Sequence, residues 1–138
     1  MTNGSYNRLP EIIARLEAEL PKALDESANI LVREMAVSMS GGKRGRYYKV
    51  SKSGKPHRAS APGEAPARDT GALVNSLVTE KSGKFARVIG TNIEYAEALE
   101  FGTKSGKLAP RPFMRPAVVK KAKSIIQRIH EAIVRAIM

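Results

Sequence analysis

Two stretches of this 138-residue chain repeat apolar residues at helical steps, and both must find cover. From 10 to 39, Ile13, Leu16, Leu20, Leu24, Ala28, Leu31 and Met35 recur every three or four residues, which draws one apolar stripe along a helix. From 115 to 138, Val118, Ala122, Ile125, Ile129, Ile133 and Ile137 do the same, with Lys120, Lys121, Lys123, Arg128 and Arg135 elsewhere on the helix. Glu11, Glu17 and Glu19 fall early in the first helix, where the positive end of the helix dipole favours acids. Pro21 has no N–H to donate, so it either kinks that helix or opens a second one. Gly41-Gly42 ends it, and Pro116 suits the first turn of the final helix, which starts at Arg115 or Pro116.

What lies between must supply the partner surface, and 69–114 is the segment able to do so. Asp69-Thr70-Gly71-Ala72-Leu73 reads as a cap and a short helix, with Asp69 or Thr70 accepting from the free first-turn amides and Leu73 and Leu77 inward. Ser76 to Glu80 and Ala86 to Ile89 read as two strands joined by Lys81-Ser82-Gly83-Lys84, with Val78 opposite Val88 in a half-buried sheet. Gly90 breaks the second strand, a short helix follows with Tyr95, Ala98 and Leu99 on one side, and Gly102 stops it. A Pro-rich run, Pro110 to Pro116, then turns the chain into the last helix. Seven aromatic residues and no Trp mean a core built mainly of Ile, Leu, Val, Met and Ala. The expected fold is α+β in one domain, 1–138: a small antiparallel β-sheet packed by a long N-terminal helix and a C-terminal helix.

Residues 41–68 fit neither pattern. They hold Lys43, Arg44, Arg46, Lys49, Lys52, Lys55, Arg58 and Arg68 against the single acid Glu64, with five Gly and three Pro among them. Only Tyr47, Tyr48 and Val50 offer apolar area, too little to offset the ordering entropy of the segment. A long basic loop or hairpin arm is expected, with Tyr47 to Val50 as one side of the hairpin. The net charge of +11 divides as −2 over 1–40, +7 over 41–68, +1 over 69–114 and +5 over 115–138. Such an arm suits a polyanion or the acidic face of another protein.

The chemistry-bearing residues are few. With no Cys there is no disulfide framework and no thiolate metal site. His57 and His130 stand apart from carboxylate pairs, so no metal or cofactor is expected. His57 as general base, with Lys55 or Arg58 on a phosphate, gives a basic-ribonuclease alternative. Asp69-Thr70-Gly71 matches the triplet of aspartic proteases, where two carboxylates share one proton. No apolar strand precedes it here, so the helix-cap reading is preferred. Nonspecific nucleic-acid binding, with Tyr47 and Tyr48 stacking on bases, is the other alternative. No run approaches the ~20 apolar residues of a membrane span, and the start lacks the apolar centre of a secretory signal, so no membrane partner is expected.

Three segments, in order, carry a resemblance. They are Pro56 to Leu73, continuing to Ser76-Leu77; Val88-Ile89-Gly90-Thr91-Asn92-Ile93-Glu94-Tyr95-Ala96 with Leu99-Glu100-Phe101-Gly102-Thr103; and Pro110-Arg111-Pro112-Phe113-Met114-Arg115-Pro116-Ala117. Together they resemble the phage HK97 gene-product-10-like family of tail and head–tail connecting proteins. The resemblance implies a non-enzymatic virion protein at the head–tail interface, made in the host cytoplasm. It implies a ring, hexameric or dodecameric, that joins the head connector or adaptor to the tail tube or tail terminator; the arm's +7 charge adds nonspecific contact with packaged DNA as a reading secondary to protein contact. It marks Asp69, Thr70, Gly71, Leu73, Gly90, Tyr95, Glu100, Phe101, Gly102, Pro112, Phe113, Arg115 and Pro116 as scaffold. Assembly falls to the arm residues Lys43, Arg44, Arg46, Tyr47, Tyr48, Lys49, Lys52, Lys55 and Arg58.

Overall fold

A computed structural model describes residues 7–45, 47–49, 56–67 and 71–138. Its elements run α1 (Arg8–Ser40), β1 (Tyr47–Lys49), β2 (Pro56–Arg58), α2 (Ala72–Ser76), β3 (Val78–Gly83), β4 (Ala86–Gly90), α3 (Ala96–Phe101) and α4 (Met114–Ile137). The arrangement is α+β: the two long helices pack against each other, and the antiparallel β3–β4 pair lies on α1.

The two stripes predicted from spacing meet along α1 and α4. Small residues, Ala23 and Ser27 on α1 and Ala132 and Ala136 on α4, are buried and let the backbones approach closely. Ion pairs line the edges: Glu34 with Lys120 at 2.7 Å, Glu26 with Arg128 at 2.9 Å and Glu19 with Arg135 at 3.6 Å. Each step back along α1 matches a step forward along α4, so the helices are antiparallel. At the far end Arg8 donates to the carbonyl of Ile137 at 3.0 Å. α1 runs unbroken through Pro21, so the second-helix alternative does not hold. One lost backbone bond is a local cost, and the packing of α1 on α4 and β3–β4 continues on both sides of it. The outer ends of both expected stripes are solvent-facing: Ile13 on α1, and Val118, Ile133 and Ile137 on α4, are exposed.

The core proper lies where α1 ends and α4 begins. Met35 and Met39 meet Leu73 and Leu77 of the α2 segment, Ala96 of α3, and Phe113 and Ala117. Phe113 is 1% exposed, the largest fully buried side chain among the described residues.

The β3–β4 hairpin differs from expectation. β3 starts at Val78 because Leu77 ends the α2 turn, and it runs on through Lys81, Ser82 and Gly83 with an irregularity between Lys81 and Gly83. Only Lys84 and Phe85 make the turn. The extra residues move the register, so Val78 pairs with Gly90 and Val88 with Glu80, not with each other. The sheet is less buried than expected: β3 is exposed throughout, and β4 turns only Arg87 and Ile89 inward before Gly90. Arg87 is the rivet. Its side chain is 6% exposed and donates to Asp25, to the Pro21 carbonyl at 3.2 Å, and to the Gly83 and Ala86 carbonyls at 3.0 and 2.8 Å.

The residue before α2 is Gly71, with φ of 81°; Asp69 and Thr70, the expected caps, lie outside the described residues. Before α3, Tyr95 is 52% exposed. α3 buries Ala96 and Glu100, and of the side expected to face inward Leu99 packs against the core while Tyr95 does not.

Candidate functional site: a clasped basic arm

The basic segment folds back on itself. β1 and β2 pair antiparallel, Tyr47 with Arg58, Tyr48 with His57 and Lys49 with Pro56. Gly45 extends the pairing: its N–H donates to the Ala59 carbonyl at 2.9 Å, and the Gly45 carbonyl accepts from Arg58 Nε at 3.1 Å. A Cβ at residue 45 would overlap the carbonyl oxygens of Ala59 and Ser60, so the close crossing of the two feet requires glycine.

Glu64 closes the neck. Its Oε2 accepts from the Ala61 amide at 2.8 Å and the Arg44 amide at 3.1 Å, one from each foot. The Ala61 amide first, then that of Arg44, hold this carboxyl below the ordinary glutamate range. Lys43 Nζ donates to the Ser38 carbonyl at 2.7 Å and ties the first foot to the end of α1. Burial pushes its pKa down, with Glu64 opposing. The second foot rests on the Pro-Arg-Pro run. Arg111 Nε donates to the Ser60 carbonyl at 3.2 Å, and the Gly63 amide donates to the Pro110 carbonyl at 2.9 Å. An open groove of about 630 Å³ lies here, lined by Arg44, Gly45, Ala59, Ser60, Ala61, Pro62 and Arg111. Both arginines at this groove have partners: Arg44 Nε lies 3.9 Å from Glu64 Oε1, and the Arg111 guanidinium also donates to the Ala109 carbonyl at 2.8 Å.

The arm therefore stands on the third resemblance segment, and that segment is knotted to the second. Glu100 of α3 is buried, with Arg115 Nε 3.7 Å from its Oε1. It caps another helix: Oε2 accepts from the Phe113 amide at 2.7 Å and the Met114 amide at 3.0 Å, and Oε1 accepts from the Arg115 amide at 2.9 Å. These are the orphan donors at the start of α4. Burial pushes the Glu100 carboxyl up, but the three amides and the Arg115 charge outweigh this and hold it low. Arg115 also lies over the exposed Phe101 ring, 4.7 Å from its centroid. Gly102, at φ 77°, lets the chain leave α3 where a Cβ would meet the Leu108 carbonyl oxygen at 2.9 Å.

The structure thus separates the predicted arm residues. Lys43, Arg44 and Arg58 secure the feet, Tyr47, Tyr48 and Lys49 form β1, and Arg46, Lys52 and Lys55 lie outside the described residues. Of the scaffold residues, Gly71, Leu73, Glu100 and Phe113 are buried, Gly90 ends β4, Pro112 is half-buried, and Pro116 is exposed in the first turn of α4. Two residues that matter most here, Glu64 and Arg87, were not singled out from sequence, although Glu64 is the lone acid of its segment. Among the described residues no group of three His, Asp or Glu is arranged to hold a metal ion. No helix among them is long and apolar enough to cross a membrane. No family model matches the chain, and no curated protein or solved structure gives a significant match.

Proposed function

We propose that this chain is a structural subunit of a tailed-phage virion, assembling into a ring that joins the head connector to the tail. The observation that carries this reading is the clasped arm. A strongly basic hairpin is fixed at its feet by Glu64, Gly45 and Arg111, and the core cluster among the described residues is drawn from outside 43–58. An arm held off one subunit and reaching to the next is an economical way to close a ring by a repeated head-to-tail contact. The resemblance supports the same reading. Its three segments supply Leu73 and Leu77, then Ala96 and Glu100, then Phe113 and Ala117, which meet at one place.

The test is deletion of residues 43–58. The shortened protein retains the helical circular dichroism and melt of the full chain, and electron micrographs show no rings where the full chain forms them at the head-proximal end of tails. Loss of the fold would place the arm in the core and overturn the reading. The groove holding Arg44 and Arg111 favours a second role, nonspecific contact with DNA phosphates. Affinity should then fall steeply and linearly on a log–log plot against salt, without sequence preference.

A further inference from the structure

α4 is apolar over more of its circumference than α1 covers. Ala117, Ala132 and Ala136 are buried. A second row, Val119, Ile126 and Ile133, recurs every seven residues, with Ile137 four further on, and these are 79%, 66%, 36% and 50% exposed. At helical spacing this row lies about 100° round the helix from the buried side. Ala122 and Ile129, half-buried, sit three residues after Val119 and Ile126, so the row has the spacing of a coiled-coil seam. Single exposed aliphatics are ordinary on a surface; a continuous row of them marks a contact.

We propose that this row is the contact between two copies of the chain, with their α4 helices antiparallel about a two-fold axis at Ile126. The spacing is symmetric about that residue. An antiparallel copy sets Ile126 on its own counterpart and Val119 against the partner's Ile133, so one surface serves both sides. The helix dipoles favour the same orientation. Lys123 and His130 border the row on its outer side. Antiparallel packing opposes the two helix dipoles, whereas parallel packing aligns their like ends. Each face offers on the order of 400 Å² of apolar surface. With the stems of the bordering side chains, two faces reach the ~1,000 Å² that a specific interface requires. This contact is isologous and closes at two copies, so it does not depend on the head-to-tail contacts of a ring.

The chain has no Cys, so any introduced thiol is unique. In the full-length protein under mild oxidation, Ile126→Cys gives a covalent dimer. Val119→Cys alone stays single, and an equal mixture of Val119→Cys with Ile133→Cys gives the cross-linked pair. Ile126→Glu halves the mass in sedimentation velocity and leaves the melt unchanged, because that side chain is exposed in the single chain. An unchanged mass in Ile126→Glu overturns the proposal. So does self-cross-linking of Val119→Cys as efficient as that of Ile126→Cys, which would report parallel helices. The arm deletion removes rings without affecting the Ile126→Cys dimer, so the two readings fail separately.

Discussion

Replacing Glu100 with Ala removes one carboxylate and strands three amides at the start of α4. The Phe113 amide is buried, and leaving it without an acceptor costs about 2 kcal/mol. The Met114 and Arg115 amides are partly buried and regain water, so losing their shared cap costs about 1 kcal/mol more. The total, about 3 kcal/mol, is a large share of the ~5–15 kcal/mol typical of a domain. It should lower Tm by roughly 10 °C for a chain of this size. Differential scanning calorimetry and urea titration at pH 7 measure both quantities, with an unchanged m-value showing that the same core unfolds. Glu100→Gln should fall between, since its amide oxygen still accepts but its NH₂ faces donors. The pH dependence supplies a separate check. The folded-state pKa of Glu100 lies below its ordinary value of about 4.5. Its contribution is therefore full above about pH 4.5 and is lost as pH falls through the lower folded value. The gap between wild type and Glu100→Gln should narrow over that acid window. A Glu100→Ala variant within about 0.5 kcal/mol of wild type, a change normal for any surface site, would refute the capping account.

Three other outcomes follow from the geometry. Gly45→Val forces a side chain into the Ala59 and Ser60 carbonyls, so it should free the arm's feet and abolish ring formation while circular dichroism keeps its helical content. Glu64→Gln should speed proteolysis within 43–58 at neutral pH. In the wild type, cleavage should rise as pH drops below about 4.5 towards the lowered folded value, because protonation weakens the two amide bonds to the Glu64 carboxylate. Arg87→Ala should cost about 2–3 kcal/mol and accelerate amide exchange in 78–90; Lys should rescue little, since one ammonium cannot span Asp25, Pro21 and the turn carbonyls.

Periodicity carried the long helices well, because α1 and α4 stripes are local patterns and their mutual cover is the simplest solution. It located the stripe of α4 only approximately. Alanines, which hydropathy ranks low, take the closest contact at Ala132 and Ala136, while the bulkier Ile133 and Ile137 face out. The hairpin register was lost to the irregularity near Gly83, since one additional residue shifts every later pair. Glu100 read as a polar residue on a short helix; its partners begin thirteen positions on and are backbone amides, which leave no trace in composition. The arm's charge was plain, but its clasp was not: Glu64 works through two amides, one of them twenty residues upstream.

The antiparallel closure of α1 on α4 also has a temporal side. Arg8 and Ile137 meet across 129 positions, and the pairs Glu26–Arg128 and Glu19–Arg135 are nearly as distant. During synthesis α1 can coil on its own, being 33 residues long, while the surface meant for α4 stays bare until that helix has been translated. Contacts of such high sequence separation form late and slowly. A stalled or shortened nascent chain would therefore present Ala23, Ser27 and their half-buried neighbours to any chaperone nearby, making α1 the expected holding site before release.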